Sequence, residues 1–164
     1  MSWYLIVKFL HVLAVALTIG GMFARQLIRG FARKSDDVNT VASLTRAAVR
    51  IDRMLVIPWS NIMIAMGILL AVMQKWPVFG FLQGASQNWL LVSNILLVIM
   101  LILIGAVFIP YNMTVEALLE SALAQGSATY ELTAALDDKR NKISHLLEEI
   151  LILAVAALMV LKPF

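Results

Sequence analysis

Four long apolar segments, 3–24, 54–73, 89–109 and 143–161, dominate this sequence of 164 residues. Each approaches the roughly 20 residues that a helix needs to cross about 30 Å of hydrocarbon. Within a bilayer a chain must satisfy its own backbone hydrogen bonds, and these segments lack the alternating pattern of barrel strands. The sequence therefore predicts an all-α membrane protein, a four-transmembrane-helix bundle that occupies 1–164 as a single domain.

The composition agrees with this class. Hydrophobic residues make up 62% of the chain and charged residues 14%, whereas a soluble domain carries roughly 25% charged residues. The absence of cysteine excludes disulfides, thiolate metal sites, iron–sulfur clusters and covalently attached c-type haem. The basic residues collect in short segments beside the apolar runs, so the expected partner is the lipid bilayer and not nucleic acid.

The lysines and arginines predict the orientation. Of the 13 in the chain, seven lie between the first and second apolar segments, and three lie between the third and fourth. The positive-inside rule therefore places loops 1 and 3 in the cytoplasm and both termini outside. Because Arg25 and Arg29 follow the first apolar segment instead of preceding it, we interpret that segment as a retained span and not as a secretory signal.

Helical patterns continue from the spans into these two loops. The segment 38–53 is amphipathic, and apolar residues recur at helical spacing after Pro110. Gly126 then predicts a helix end and Ser127 the N-cap of a short helix, which leads through Lys139 into the fourth span. We therefore expect helical extensions on the cytoplasmic side.

The two histidines differ in predicted depth. His11 lies about 12 Å below the outer boundary, a depth at which an ionisable side chain is a ligand, a proton-transfer group or a hydrogen-bond partner of another helix. His145 lies at the cytoplasmic mouth of the fourth span, roughly 15 Å or more from the level of His11. We therefore expect that the two cannot ligate one haem iron within one subunit. Lys8 is close enough to the outer end for its ammonium group to reach the headgroups.

Met66 and Met100 are predicted at the depth of His11. The nine methionines fit either copper binding or gap filling in an apolar core. The run His145-x-x-Glu148-Glu149 fits either interface chemistry at a helix start or a proton entry point. Three further polar residues are inward-facing candidates that join helices by hydrogen bonds: Asn61, Ser93 and Asn94.

Several short motifs in a fixed order carry a family resemblance: KxxH at 8–11, GGMFAR at 20–25, RID at 50–52 followed by Pro58 and Gly67, WLLVSN at 89–94 and MVLKP at 159–163. The chain resembles, over almost its whole length, the bacterial integral membrane family known as domain of unknown function 2269. This implies a bacterial cytoplasmic (inner) membrane location.

The N-terminal half and the ending at 162–164 also resemble the HemJ type of protoporphyrinogen IX oxidase, a four-helix membrane protein that binds haem b. A weaker resemblance extends to the membrane domain of copper-resistance D proteins. The HemJ resemblance implies a haem-ligand role for His11. It also calls for a lysine at the position that Ser93 occupies here.

Three hypotheses follow. The first is a b-type haem protein in which His11 is one axial ligand, with Met66 or Met100 as the other, and which exchanges electrons with quinone or a redox partner protein. A variant of it has His11 from both subunits of a homodimer. The second is a copper-handling protein that binds Cu(I) through His11 and methionines. The third is a non-catalytic accessory or assembly protein whose cytoplasmic helices dock a partner.

Overall fold

The first apolar segment forms one long helix in the computed structural model, which describes residues 2–163. This helix, α1 (Trp3–Ala32), has 30 residues and is therefore about 45 Å long. It runs well past the predicted end of the span at residue 24. Arg25 and Arg29 consequently lie on the same helix as the first apolar segment.

The other apolar segments are parts of longer helical rods. Helix α2 (Val38–Ile51) passes through a π-helical turn (Asp52–Val56) into α3 (Ile57–Met73). Helix α4 (Trp89–Leu103) passes through a second π-helical turn (Ile104–Phe108) into α5 (Ile109–Gln125). A 3-10 turn (Gly80–Gln83) lies between the two rods, and α6 (Tyr130–Leu136) and α7 (Lys139–Leu161) complete the described chain.

The prediction of a four-helix membrane protein is confirmed. Within residues 2–163, four helical stretches are long and apolar enough to cross a membrane: Trp3–Ala32, Val38–Met73, Trp89–Gln125 and Tyr130–Leu161. Large apolar side chains such as Phe9, Ile68, Ile102 and Leu153 stand exposed along them. In water such surfaces would be costly, whereas in lipid they meet a matching solvent.

The core forms where two closely packed helix pairs meet. Helix α1 packs along α3, and α4 packs along α7. Side chains from all four helices then form one buried cluster, which includes Met22, Met63, Met100 and Ile152. At the other end of the rods, a second apolar cluster joins α2, α5 and α6. The helical extensions predicted from the sequence therefore fold onto one another.

Each π-helical turn directly precedes an Ile-Pro pair, at Pro58 and at Pro110. Proline has no backbone N–H and its ring clashes with the carbonyl of residue i−4, so the ordinary α-helical hydrogen bond cannot form there. The preceding isoleucine instead donates five residues back, from Ile57 to the Asp52 carbonyl and from Ile109 to the Ile104 carbonyl. The helix widens at both places without being interrupted.

The predicted helix end at Gly126 is confirmed, since this glycine adopts a left-handed conformation with φ of 71°. The prediction of Ser127 as the next N-cap was wrong. Helix α6 is capped by Thr129, whose hydroxyl oxygen accepts a hydrogen bond from the Leu132 amide. Two extra residues are thus needed to turn the chain before α6 begins.

Candidate functional site

His11 lies on the face of α1 that turns towards the bundle. Buried residues on this helix recur every three or four positions, at Val7, Ala14 and Thr18, and His11 falls within the same stripe. Its imidazole contacts α3, where Nδ1 is 2.9 Å from the backbone carbonyl oxygen of Met63. Because a carbonyl only accepts, Nδ1 carries the proton and donates it. In the neutral ring the lone pair is then on Nε2.

A glycine makes room for this imidazole. A Cβ atom at Gly67 would lie 3.1 Å from Cε1 of His11, which is tighter than ordinary van der Waals contact. Helix α3 therefore holds the ring from two sides, by the Met63 carbonyl and by the flat surface at Gly67. Both restrict how the ring can turn.

The other residues predicted near this depth occupy different environments. Met100 is buried in the core cluster together with Met63, whereas Met66 is half-buried on α3. Lys8 is exposed, and its ammonium nitrogen lies 5.9 Å from the centre of the Tyr4 ring.

The three polar residues predicted to face inward also differ in burial and in hydrogen-bond partner. Asn61 is exposed and donates to the Ile57 carbonyl of its own helix, so its inward orientation was wrong. Ser93 is fully buried, and its hydroxyl donates to the Trp89 carbonyl at 2.8 Å. The Asn94 side chain reaches the Val78 carbonyl at 3.4 Å, and so ties α4 to the connection that precedes it.

A buried ionic cluster occupies the opposite end of α1. The Arg25 guanidinium donates to the Asp52 carboxylate at 2.6 Å and also to the Glu148 carboxylate. Arg25 and Glu148 are 6% and 3% exposed. The side chain of Glu148 therefore lies in the protein interior.

His145 completes the cluster and is held on three sides. Its Nε2 lies 2.6 Å from Nη1 of Arg29, and its Nδ1 lies 3.2 Å from the Glu148 carboxylate. The ring of Phe108 stacks on the imidazole, with centroids 4.2 Å apart and planes 11° apart. Since arginine only donates, Nε2 accepts, and Nδ1 carries the proton and donates it to Glu148. The imidazole is therefore neutral, and both of its nitrogens are engaged.

The ionic cluster, defined as Arg25, Arg29, Asp52, His145 and Glu148, contains two cations and two carboxylates around a neutral imidazole. Buried charges are tolerated only when they are paired in this way. The two π-helical turns supply Asp52 and the stacking Phe108, α1 supplies both arginines, and α7 supplies the histidine and the glutamate. The five residues of the cluster join three of the four membrane-crossing stretches, and Phe108, stacked on His145, adds the fourth.

Of the two glutamates in the predicted run His145-x-x-Glu148-Glu149, only Glu148 belongs to the ionic cluster. Glu149 is half-buried and forms no ion pair within the described chain. Helical spacing contains the signal that finds Glu148. The buried stripe of α7 runs through Asn141, His145, Glu148 and Ile152, at intervals of three or four residues.

The two histidines belong to separate sites. His11 and Arg29 are both on α1, 18 residues apart, which corresponds to about 27 Å along the helix. His145 contacts Arg29. Their predicted separation agrees with this geometry. Among residues 2–163, no three His, Asp or Glu side chains form a group that could hold a metal ion.

The comparison with known families gives the same class of protein. The family model described as "Predicted integral membrane protein (DUF2269)" matches residues 5–163, nearly the whole chain. No curated protein sequence matches the chain, and no solved structure matches it. The chain belongs to the DUF2269 family of predicted integral membrane proteins.

Proposed function

We propose that this membrane protein binds haem b through His11. The observation that carries the proposal is the hydrogen bond from His11 Nδ1 to the Met63 carbonyl. A histidine that ligates a metal usually donates its other ring N–H to a carbonyl or carboxylate, which fixes the tautomer and aims the free nitrogen. His11 has this arrangement on an interior face of α1, and Nε2 is the nitrogen left for the iron.

Met100 is the better candidate for the second axial ligand. Helices α1 and α3 are in close contact at His11 and Gly67, which leaves no space for a planar macrocycle between them. Met66 is on α3, whereas Met100 comes from α4 across the core cluster. Histidine and methionine together form a known haem ligand pair, and its potential is raised by the methionine. The alternative of two His11 side chains from a homodimer needs no methionine.

Bound haem would supply one-electron transfer, with quinone or a redox partner protein as the other reactant. The proposed setting is the bacterial cytoplasmic membrane, with both termini outside and the connections 33–37 and 126–138 in the cytoplasm. The basic end of the bundle supports this orientation. In this orientation His11 lies in the outer half of the bundle. The resemblance to HemJ-type proteins supports the proposed role of His11 as a haem ligand.

Absorption spectroscopy tests the proposal. The purified wild-type protein is expected to show a Soret band, and reduction is expected to sharpen the bands at longer wavelength. His11→Ala should lose the haem. Met100→Leu should retain the haem, but with a shifted reduced spectrum and a lower reduction potential. Met66→Leu is the matched control on α3 and should change neither the spectrum nor the potential.

A wild-type protein without a Soret band, or a His11→Ala spectrum identical to wild type, would overturn the proposal. Metal analysis of the same preparations distinguishes copper handling. Cu(I) that is retained by the wild type and lost after substitution of Met63 and Met66 would support the copper alternative. A protein that carries neither group, and for which His11→Ala is silent, would support an accessory or assembly role instead.

A further inference from the structure

A large basic groove lies beside the ionic cluster, on the side of the bundle formed by α2 and α5. Its volume is about 660 Å³. Five of its lining residues are arginines: Arg29, Arg33, Arg46, Arg50 and Arg53. Three lining residues are acidic, namely Asp52, Glu116 and Glu120. The groove therefore carries an excess of positive charge.

The ion pairs concentrate this excess in the last turn of α2 and the π-helical turn that follows. Asp52 is already shared by Arg25 and Arg29, and Glu120 pairs with Arg46 at 3.0 Å. Within residues 2–163, neither Arg50 nor Arg53 has a carboxylate partner within 4.0 Å. Both are exposed, and three residues apart on a helix they lie on neighbouring positions of one surface. Two guanidinium groups thus line the groove without a carboxylate at ion-pair distance in the described chain. Glu116 is the one acidic lining residue that pairs with no arginine there.

The mouth of the groove is apolar. Met54 and Ile57 stand on one side of it and Ile109 and Met113 on the other, and each is more than 50% exposed. These residues belong to the stretches that cross the membrane, close to the end where the basic residues collect. An apolar path therefore leads from the arginines to the lipid-facing surface.

We propose that this groove binds an anionic phospholipid, with the headgroup phosphate at Arg50 and Arg53 and the acyl chains passing between Met54 and Met113. Guanidinium groups bind phosphate through paired N–H donors. Basic pockets between membrane helices are suited to anionic headgroups. A free phosphate ion would contact the arginines but would leave most of the cavity and the apolar mouth unused. This inference is independent of the haem proposal, because it concerns a different end of the bundle.

Native mass spectrometry of the full-length protein in detergent tests the inference, with phosphatidylglycerol and phosphatidylcholine of equal chain length as probes. Wild type should bind phosphatidylglycerol at least about tenfold more tightly than phosphatidylcholine. The double variant Arg50→Gln/Arg53→Gln should lose that preference. The matched control Lys139→Gln/Arg140→Gln removes two exposed charges outside the groove and should keep the preference within about twofold.

A second pair of measurements separates lipid from free anion. Met54→Ser/Met113→Ser should weaken phosphatidylglycerol binding, and sodium phosphate should not displace the lipid beyond the effect of sodium chloride at equal ionic strength. If both charge variants lost the preference for phosphatidylglycerol equally, binding would reflect general attraction to a basic surface, and the proposed site would be wrong. No loss in the Arg50/Arg53 variant would overturn it as well, and displacement by phosphate alone would overturn the lipid assignment.

Discussion

Arg29 and His145, separated by 116 positions in the chain, meet at 2.6 Å between Nη1 and Nε2. An arginine beside an imidazole is stable only when the imidazole accepts, so this contact fixes the protonation of the histidine. Through Nδ1 the same ring donates to Glu148, which in turn binds Arg25. The contact therefore orders a chain of donors and acceptors from α1 to α7 and back to α1.

We expect both histidines to be neutral and protonated at Nδ1. In ¹⁵N-histidine NMR of the protein at pH 7, His145 should show a protonated Nδ1 and an unprotonated Nε2. Its assignment follows from the signal lost in His145→Gln. An imidazolium spectrum for His145 would contradict the hydrogen-bond directions derived for the cluster. His11 should give the same tautomer through its bond to Met63 in protein without bound haem.

Glu148→Gln should strongly destabilise the fold. The change removes one of two carboxylates that balance two buried guanidinium groups, and breaking a buried ion pair from one side costs about 3–5 kcal/mol. Glu149→Gln is the matched control, since Glu149 forms no ion pair in the described chain, and it should change the free energy of unfolding by less than about 0.5 kcal/mol. Thermal unfolding in detergent, followed by circular dichroism, measures both. Equal effects of the two variants would show that the ionic cluster does not stabilise the bundle.

Gly20 and Gly21 should respond oppositely to alanine. A Cβ at Gly21 would lie 2.9 Å from Cγ2 of Val56, whereas a Cβ at Gly20 meets nothing within 4 Å. Gly20→Ala should therefore raise the free energy of unfolding by up to about 1 kcal/mol, because alanine has the higher helix propensity. Gly21→Ala should lower the free energy of unfolding by about 1–3 kcal/mol through overpacking. The gain from helix propensity offsets part of this loss. Unfolding of the two variants side by side checks the predicted order, and the reverse order would mean that α1 does not approach the first π-helical turn closely.

Asp37 should stabilise the start of α2 in a pH-dependent way. Its carboxylate accepts hydrogen bonds from Thr40 and the Asn39 amide, and the Thr40 side chain contributes most to lowering the pKa of Asp37 below its usual value. A lowered pKa in the folded state means that the stabilisation is present above the unfolded pKa and is lost as the pH falls through the folded one. Hydrogen exchange at the first turn of α2 should be faster in Asp37→Ala than in wild type at neutral pH. The difference should shrink as the pH falls through the lowered pKa of Asp37. A difference that does not depend on pH would contradict this prediction.

The sequence predicted the features that depend on local pattern. Apolar length gave the four spans, amphipathic spacing gave α2, and Gly126 marked the end of α5. The separation of His11 from His145 also followed from counting residues. The hydrogen-bond partner of His11 did not, because the Met63 carbonyl belongs to a helix backbone whose acceptors are ordinarily taken to be satisfied.

The ionic cluster was missed for a physical reason. Arg25 and Arg29 follow an apolar run, so they look like ordinary positive-inside residues, and only contact with Asp52 and Glu148 makes their burial favourable. Such pairing is between distant parts of the chain and leaves no local pattern beyond a helical spacing of three or four. Pro58 and Pro110 predict a disturbance of the helix, but they do not specify that it widens into a π-helical turn instead of kinking.

The two π-helical turns also set the rotational phase of the rods. A turn closed from residue i to i+5 holds one residue more than an α-helical turn, and one residue corresponds to about 100° of rotation. The part of each rod at the level of His11 and the part at the level of the ionic cluster are therefore phased independently. Deleting a single residue from Asp52–Val56 would keep the packed face of α3 in place and turn the whole of α2, with Arg50, away from its present direction.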